Sequence, residues 1–266
     1  MNPIRPAQLY NIITSDRIDM LRQFFDTNPE FNAHHNLLIG KKLEWRIVMK
    51  VNLISYSKDM DNRNLLEQIA YVARVSNPTN QNNNETAEKL VRYLIKHQHW
   101  SPLEMVHLCL EIETTRDIAR QILRHRSFSF QEFSQRYAEA TQLGFEIREA
   151  RLQDLKNRQN SLPTNNAALQ NWWVERQNKI LKECGAAYQW ALDNGIAKEQ
   201  ARAVLPEGLT SSRLYMSGTL RSWIHYIQLR TGNGTQKEHR EVAYECAKVI
   251  RVIFPMIMEF VDEQSE

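Results

Sequence analysis

The spacing of apolar residues along the chain switches between a period near four and a period of two, and each switch marks an element. A strand-like run begins at Met49, with Val51, Leu53 and Ser55 alternating against Asn52, Ile54 and Tyr56. Leu65, Leu66, Ile69, Val72 and Ala73 then recur at helical spacing within residues 64–76. A polar loop follows, in which Asn84 is placed to cap a helix over 85–97. Ala87, Leu90, Val91, Leu94 and Ile95 share one face of that helix. Over 105–113 the period drops to two: Val106, Leu108, Leu110 and Ile112 face one way, His107, Cys109, Glu111 and Glu113 the other. That alternation predicts a half-buried strand of an antiparallel sheet. Thr115 is placed to cap a helix with Ile118, Ala119, Ile122 and Leu123 on its apolar side and Arg116, Arg120 and Arg124 on the other.

Beyond that point the pattern is mainly helical. Residues 152–170 are polar and predict a surface connector. A long helix is expected over 171–194, ended by Gly195, and a short one over 197–204 that stops before Pro206. Thr219 is placed to cap a helix running to Arg230, with Leu220, Trp223, Ile224 and Ile227 apolar. The loop TGNGT separates it from a last helix over 236–254, whose inner face is Val242, Cys246, Val249, Ile250 and Ile253. The sum is an α+β fold, with helices packed around a modest, mainly antiparallel sheet. The first 48 residues differ: Pro3, Pro6, Pro29 and a polar stretch surround one short amphipathic run at Leu21, Phe24 and Phe25. We read 1–48 as an N-terminal extension and 49–266 as the catalytic domain.

Composition narrows the partners. With 266 residues and 42% of them hydrophobic, the chain has the material for a real core. A net charge of +3 is too small for non-specific nucleic-acid binding, so no nucleic-acid partner is expected. Cys109, Cys184 and Cys246 form no C-x-x-C pair, which argues against disulfides and zinc and points to a reducing, cytoplasmic compartment. No apolar run reaches the ~18 residues of a membrane span, and the N-terminus lacks the features of a signal peptide. The histidine pairs 34/35 and 97/99 lack metal-ligand spacing, and no metal is expected. Phosphate-loop, dinucleotide-binding and nucleophile-elbow motifs are absent from the sequence.

What remains is RHRSFSFQEFSQRY, residues 124–137. Arg124, His125, Arg126, Glu132, Ser134 and Arg136 crowd thirteen residues just after a helix. Arginine binds phosphate with two parallel hydrogen bonds, and a serine hydroxyl adds a neutral donor. A carboxylate among arginines weakens anion binding, so Glu132 either orients an arginine or accepts from a ligand. A solvated, arginine-rich helix end is the bland alternative. Trp172 and Trp173 are read as core or subunit packing, Trp223 as helix packing and His239 as surface.

The arrangement R-H-R, seven residues, S-x-R-Y resembles the signature of the flavin-dependent thymidylate synthases. ARVS at 73–76, H-x-S-P-x-E at 99–104, A-R-Q at 119–121, A-R-x-V-L-P at 201–206 and L-R-S at 220–222 follow in the order of that family. The resemblance covers roughly residues 49 to 255. It implies reductive methylation of dUMP to dTMP, with 5,10-methylenetetrahydrofolate as carbon donor, FAD as cofactor and NADPH as reductant, in a homotetramer with shared active sites. It further implies that Ser76, His99, Ser101, Glu104, Arg124, His125, Arg126, Glu132, Arg221 and His225 contact FAD. Gln121, Arg124, Glu132, Ser134, Gln135, Arg136, Arg202 and Arg230 match nucleotide positions, and Arg230 matches the arginine that polarises the uracil ring. Departures from the family pattern are Met105, Gln131, His225 and the loop after Arg230, which keeps Gln236 and Glu238 but not the histidine. Competing readings are a nucleotide- or nucleic-acid-binding module built on residues 116–136, and a member that binds flavin without turnover.

Overall fold

A computed structural model describes residues 49–262. The expected extension, residues 1–48, lies outside the described residues.

Four antiparallel strands form the sheet, in the order β1 (Lys50–Tyr56), β2 (His107–Thr115), β6 (Ser211–Thr219), β3 (Phe128–Glu132). Leu110 sits opposite Leu53 on one side and Met216 on the other, and Ile112 opposite Leu214. The alternation in β2 turns Leu108, Leu110 and Ile112 into the core, where each is essentially inaccessible. The opposite face is polar. There Arg213 pairs with Glu113 at 2.6 Å, and Glu111 accepts from Tyr215 Oη at 2.8 Å and from Asn52 Nδ2 at 3.0 Å.

Helices cover the apolar face. The helix α1 (Leu65–Ala73) begins with a capping box: the Asn64 side chain accepts from Glu67 N, and Glu67 reaches back to Asn64 N. It packs on α2 (Ala87–Lys96). The short α3 (Arg116–Ile122) buries Ile118, Ala119 and Ile122. After the small hairpin β4 (Arg151–Gln153) and β5 (Ser161–Pro163) come the long α4 (Ala167–Asp193) and the single turn α5 (Lys198–Ala201). Then α6 (Leu220–Arg230), capped by the Thr219 hydroxyl on Ser222 N, and α7 (Lys237–Ile250) pack together over the sheet. Trp223, Ile224 and Ile227 from α6 meet Val242, Ala243, Cys246 and Ile250 from α7 in one core. The Trp223 indole N–H is not orphaned; it donates to Leu108 O at 3.3 Å.

Several expectations need correction. The strands β3 and β6 were not foreseen, yet β6 is an inner strand of the sheet. Residues 152–170 are not a featureless connector, since they hold β5 and the start of α4 at Ala167, whose cap is Asn166. Asn84 does not cap α2, which starts at Ala87 without a side-chain cap. The Thr115 hydroxyl donates to Asp117 Oδ1 at 2.5 Å instead of capping α3. The last helix ends at Ile250, and a 3-10 turn over Pro255–Phe260 follows. Trp172 and Trp173 are not core within the chain, at 57% and 42% exposure. His239 is not a surface residue; it is fully buried. No helix among the described residues is long and apolar enough to cross a membrane.

Gly218 faces Phe128 across the β6–β3 pair. A Cβ there would overlap the Phe128 ring, which is itself buried in the core. Gly218→Ala should therefore destabilise the protein by about 1–3 kcal/mol, through overpacking at the root of the 128–132 strand. A denaturant titration reads this directly, and an unchanged midpoint would show that Phe128 moves aside freely.

Candidate active site

Two helices and one turn bring the reactive side chains together. Gln121 lies in the last turn of α3, which packs against α7, and the chain then tightens, with His125 N donating to Ile122 O at 3.0 Å. This turn drives the His125 ring inward, edge-on to Tyr226 at 4.9 Å between centroids. Arg230, the last residue of α6, donates from Nε to His125 Nε2 at 2.9 Å. A cation at a helix C-terminus also opposes the exposed carbonyl charge there. An imidazole nitrogen accepts only when it carries no proton, so His125 must be neutral with its proton on Nδ1. Burial, and then the Arg230 charge, push its pKa down to about 4, which agrees. Arg230 thus has its orientation fixed through Nε. Neither of its Nη groups has a protein partner among the described residues.

On the far end of α6, Arg221 and His225 lie one turn apart on the same face. Arg221 Nη1 donates to Glu104 Oε1 at 2.5 Å, which offsets a cation in the first turn of a helix. The His225 ring meets Trp100 edge-on at 4.7 Å, and its pKa is lowered by burial and then by Arg221. Ser101 and Glu104 belong to the 3-10 turn Ser101–Glu104, so this corner gathers Ser101, Glu104, Arg221 and His225. His99 lies just before that turn, exposed, with its ring 6.2 Å from Tyr93. Ser76 is exposed in the turn after α1.

A third group forms where α3 meets β3 and β6. Glu132 Oε1 accepts from Ser212 Oγ at 2.9 Å and lies 3.5 Å from Arg116 Nη1, and Oε2 lies 3.6 Å from Arg120 Nη1. Glu207 holds Arg120 Nε at 3.0 Å. Glu132 therefore orients arginines, one of the two roles left open for it. A cavity of about 220 Å³ beside it is lined by Arg116, Gln135, Arg202, Leu205, Glu207 and Thr210. Gln135 is 3% exposed, and its Nε2 has no hydrogen-bond partner. A buried donor without an acceptor is costly, and a ligand oxygen would satisfy it.

The remaining residues stand apart. The Ser134 hydroxyl accepts from Arg136 N at 3.4 Å, and Arg136 pairs with Glu199 at 3.3 Å on the surface. Arg124 and Arg126 are exposed and have no side-chain partner among the described residues. No hydrogen bond or ion pair among the described residues joins the Glu132 group to the Arg230 group. Arg116, which the sequence placed only in the competing 116–136 module, is 8% exposed and lines the cavity; its place in the first turn of a helix was a further signal. The sequence reading also missed Tyr226, and it placed His239 on the surface.

Neither Cys109 nor Cys246 is an activated nucleophile. Burial raises the pKa of Cys109, and raises that of fully buried Cys246 far more. Among the described residues no group of three His, Cys, Asp or Glu is arranged to hold a metal ion. The chain offers instead cations with spare donors, aimed from a rigid frame.

Known proteins carry the same frame. The model of the family described as thymidylate synthase complementing protein matches residues 44–256. A protein of Paramecium bursaria Chlorella virus 1, named a probable flavin-dependent thymidylate synthase, is 50% identical over 216 residues, 80% of this chain and 99% of that protein. A flavin-dependent thymidylate synthase of Synechocystis sp. is 51% identical over 189 residues, 71% of this chain and 86% of that one. Among solved structures, a UMP/dUMP methylase from Streptomyces cacaoi bound with 5-Br dUMP superimposes with a TM-score of 0.69 at 27% identity, covering 81% of this chain and 95% of that one.

Half-buried His125 and fully buried His239 make stability pH-dependent. Burial, and then the charge of Arg230, lower the pKa of His239 to about 3. Between pH ~6.5 and ~4 the unfolded chain binds protons at His125 and His239 that the folded chain refuses, so stability falls as pH falls through that window. Replacing His239 by Leu should flatten the wild-type slope by up to about 1.4 kcal/mol per pH unit. Urea midpoints across that range check this, and parallel curves for the two proteins would remove His239 from the account.

Proposed function

Because this chain belongs to the thymidylate synthase complementing protein family, that of the flavin-dependent thymidylate synthases, we propose a division of labour for its residues in that reaction. The chain is an FAD-dependent thymidylate synthase that converts dUMP to dTMP. It takes the one-carbon unit from 5,10-methylenetetrahydrofolate and its reducing power from NADPH. When bound, FAD supplies the hydride that completes the methyl group.

The residues present fit that cofactor. Arg221 Nε is buried without a partner, and Arg124 and Arg126 are exposed cations with none. FAD is anionic at its phosphates, and its ring gains negative charge on reduction. Ser76, His99, Ser101, Glu104, Arg124, His125, Arg126, Glu132, Arg221 and His225 are assigned to hold it. Gln121, Arg124, Glu132, Ser134, Gln135, Arg136, Arg202 and Arg230 are assigned to dUMP, with Gln135 Nε2 giving the buried donor of that set.

The observation that carries this reading is Arg230 held by neutral His125. The Nε bond fixes the guanidinium plane and leaves both Nη groups to face a carbonyl or a deprotonated ring nitrogen of the pyrimidine. A fixed cation stabilises charge as it develops on the uracil without reorganising during the step. His125 contributes by staying uncharged; a protonated imidazole would repel Arg230 instead of anchoring it. Arg230→Ala should lower kcat by about a hundredfold or more while the protein keeps its FAD. Flavin absorbance of the purified variant, near 450 nm (roughly), gives the occupancy. Loss of FAD with dUMP binding intact would reverse the assignment.

Residues 49–266 are read as the catalytic domain and 1–48 as its extension. Assembly into a homotetramer with shared active sites is favoured by α4, which leaves Trp172, Trp173, Ile180 and Trp190 exposed. Measured mass in solution should be four times that of the chain, and a monomer would remove this part of the reading.

A further inference from the structure

A line of buried and half-buried side chains runs from α7 back to α6 and has no part in the roles assigned above, apart from Gln121. Glu238 is 2% exposed and sits between Arg148 Nη1 at 2.9 Å and Arg151 Nη2 at 2.6 Å. Burial works against its charge, but the two arginines and its hydrogen bonds outweigh that and hold its pKa below the usual value. An ionised carboxylate can only accept. The Gln236 amide therefore turns its NH2 toward it, with Nε2 donating to Glu238 Oε2 at 2.9 Å. This leaves Gln236 Oε1 to accept from Gln121 Nε2 at 2.8 Å. Gln121 Oε1, now the acceptor end, meets His239 Nδ1 at 3.3 Å. His239 must then carry its proton on Nδ1, and its Nε2 accepts from Tyr226 Oη at 3.2 Å. Every bond in the line has one allowed direction, set by the charge of Glu238.

We propose that His239 is a positioning residue for dUMP: its Nδ1–H locks the amide of Gln121 with the oxygen toward α7, so that the second N–H of Gln121 is presented to the nucleotide. A primary amide carries two N–H groups. One goes to Gln236, and the other has no protein partner among the described residues. Without the bond from His239, the half-buried Gln121 oxygen loses its partner, and the amide is free to flip. A flipped amide offers the nucleotide an oxygen where it needs a donor. The burial that keeps His239 neutral keeps one nitrogen an acceptor, so the line is not broken by protonation near neutral pH.

The proposal rests on the reading of Gln121 as a dUMP contact, and the test separates the two. In His239→Asn the amide nitrogen falls where the imidazole carries Nδ1, so the bond to Gln121 is kept and that to Tyr226 is lost. In His239→Leu the volume is filled and both bonds are lost. Binding of dUMP to the FAD-loaded enzyme is measured by calorimetry, with KM and kcat alongside. The asparagine variant should bind dUMP within about twofold of wild type, and the leucine variant about three- to tenfold more weakly, with KM raised and kcat little changed. This order should hold even though leucine packs the core better and gives the higher melting temperature. Should the leucine variant fail to fold, His239→Gln, whose polar group reaches the Nε2 position instead, carries the same expectation. Equal dUMP affinity in the asparagine and leucine variants overturns the proposal. Gln121→Ala identifies which step failed: weakened dUMP binding there, with the two His239 variants alike, sinks the relay alone, whereas wild-type binding sinks the Gln121 assignment and the relay with it.

Discussion

A buried carboxylate must be paired, and at Glu238 that requirement organises the middle of the molecule. Its partners Arg148 and Arg151 come from the segment leading into the β4–β5 hairpin. Arg148 reaches on to Asp117 at 2.9 Å and to the Thr115 hydroxyl, at the start of α3. One charge thus holds α7, the hairpin segment and α3 in register. Two glutamines of α4 tighten the same segment. Gln177 takes both the N–H and the C=O of Arg148, and Gln170 takes both of Ala150. Breaking the Glu238 pair would leave an uncompensated charge in the interior, a larger loss than any one of the bonds it makes.

From this anchor the site acquires its electrostatic character. The carboxylates near the reacting region are spent on arginines: Glu132 on Arg116 and Arg120, Glu104 on Arg221, Glu238 on Arg148 and Arg151. Arg230 is held by a neutral base, so its whole charge is available. The two histidines beside it, half-buried His125 and fully buried His239, are uncharged, which avoids repulsion among cations in a small volume. The chemistry assigned to this enzyme needs such a field, because burial keeps the Cys109 and Cys246 thiols protonated.

Legibility in the sequence followed how strongly each element depends on local pattern. The strand β2 and helices α1, α6 and α7 were visible because their buried faces are built from large apolar residues at one period. The strand β6 was not. Its inward positions are Ser212, Leu214, Met216 and Gly218, and two of those four are small, so no alternation stood out. Gly218 is small because Phe128 occupies the space, a tertiary reason that no local window contains. His239 was misread for a related cause. The charged neighbours in KEHRE suggested surface, yet His239 precedes Val242 and Cys246 by three and seven positions, on the buried stripe of the same helix. The site motif itself was legible as a cluster of arginines, and its spacing carried the family. Which arginine is free and which is neutralised was not legible, because Glu207, Glu238 and Ser212 arrive from distant parts of the chain.

The strand order has a consequence for synthesis of the chain. β2 and β3 are made early, but the strand that joins them in the sheet is β6, and the Glu113–Arg213 pair across β2 and β6 spans 100 residues of sequence. Until β6 leaves the ribosome, β2 has one open edge and β3 has no partner. Long-range pairings of this kind form slowly, and open edges invite other chains. The nascent protein therefore passes through a long interval in which the turn carrying Arg124, His125 and Arg126 is already made while β6 and Arg230 are not, and shielding in that interval, by a chaperone or by the ribosome surface itself, becomes part of how this enzyme reaches its working shape.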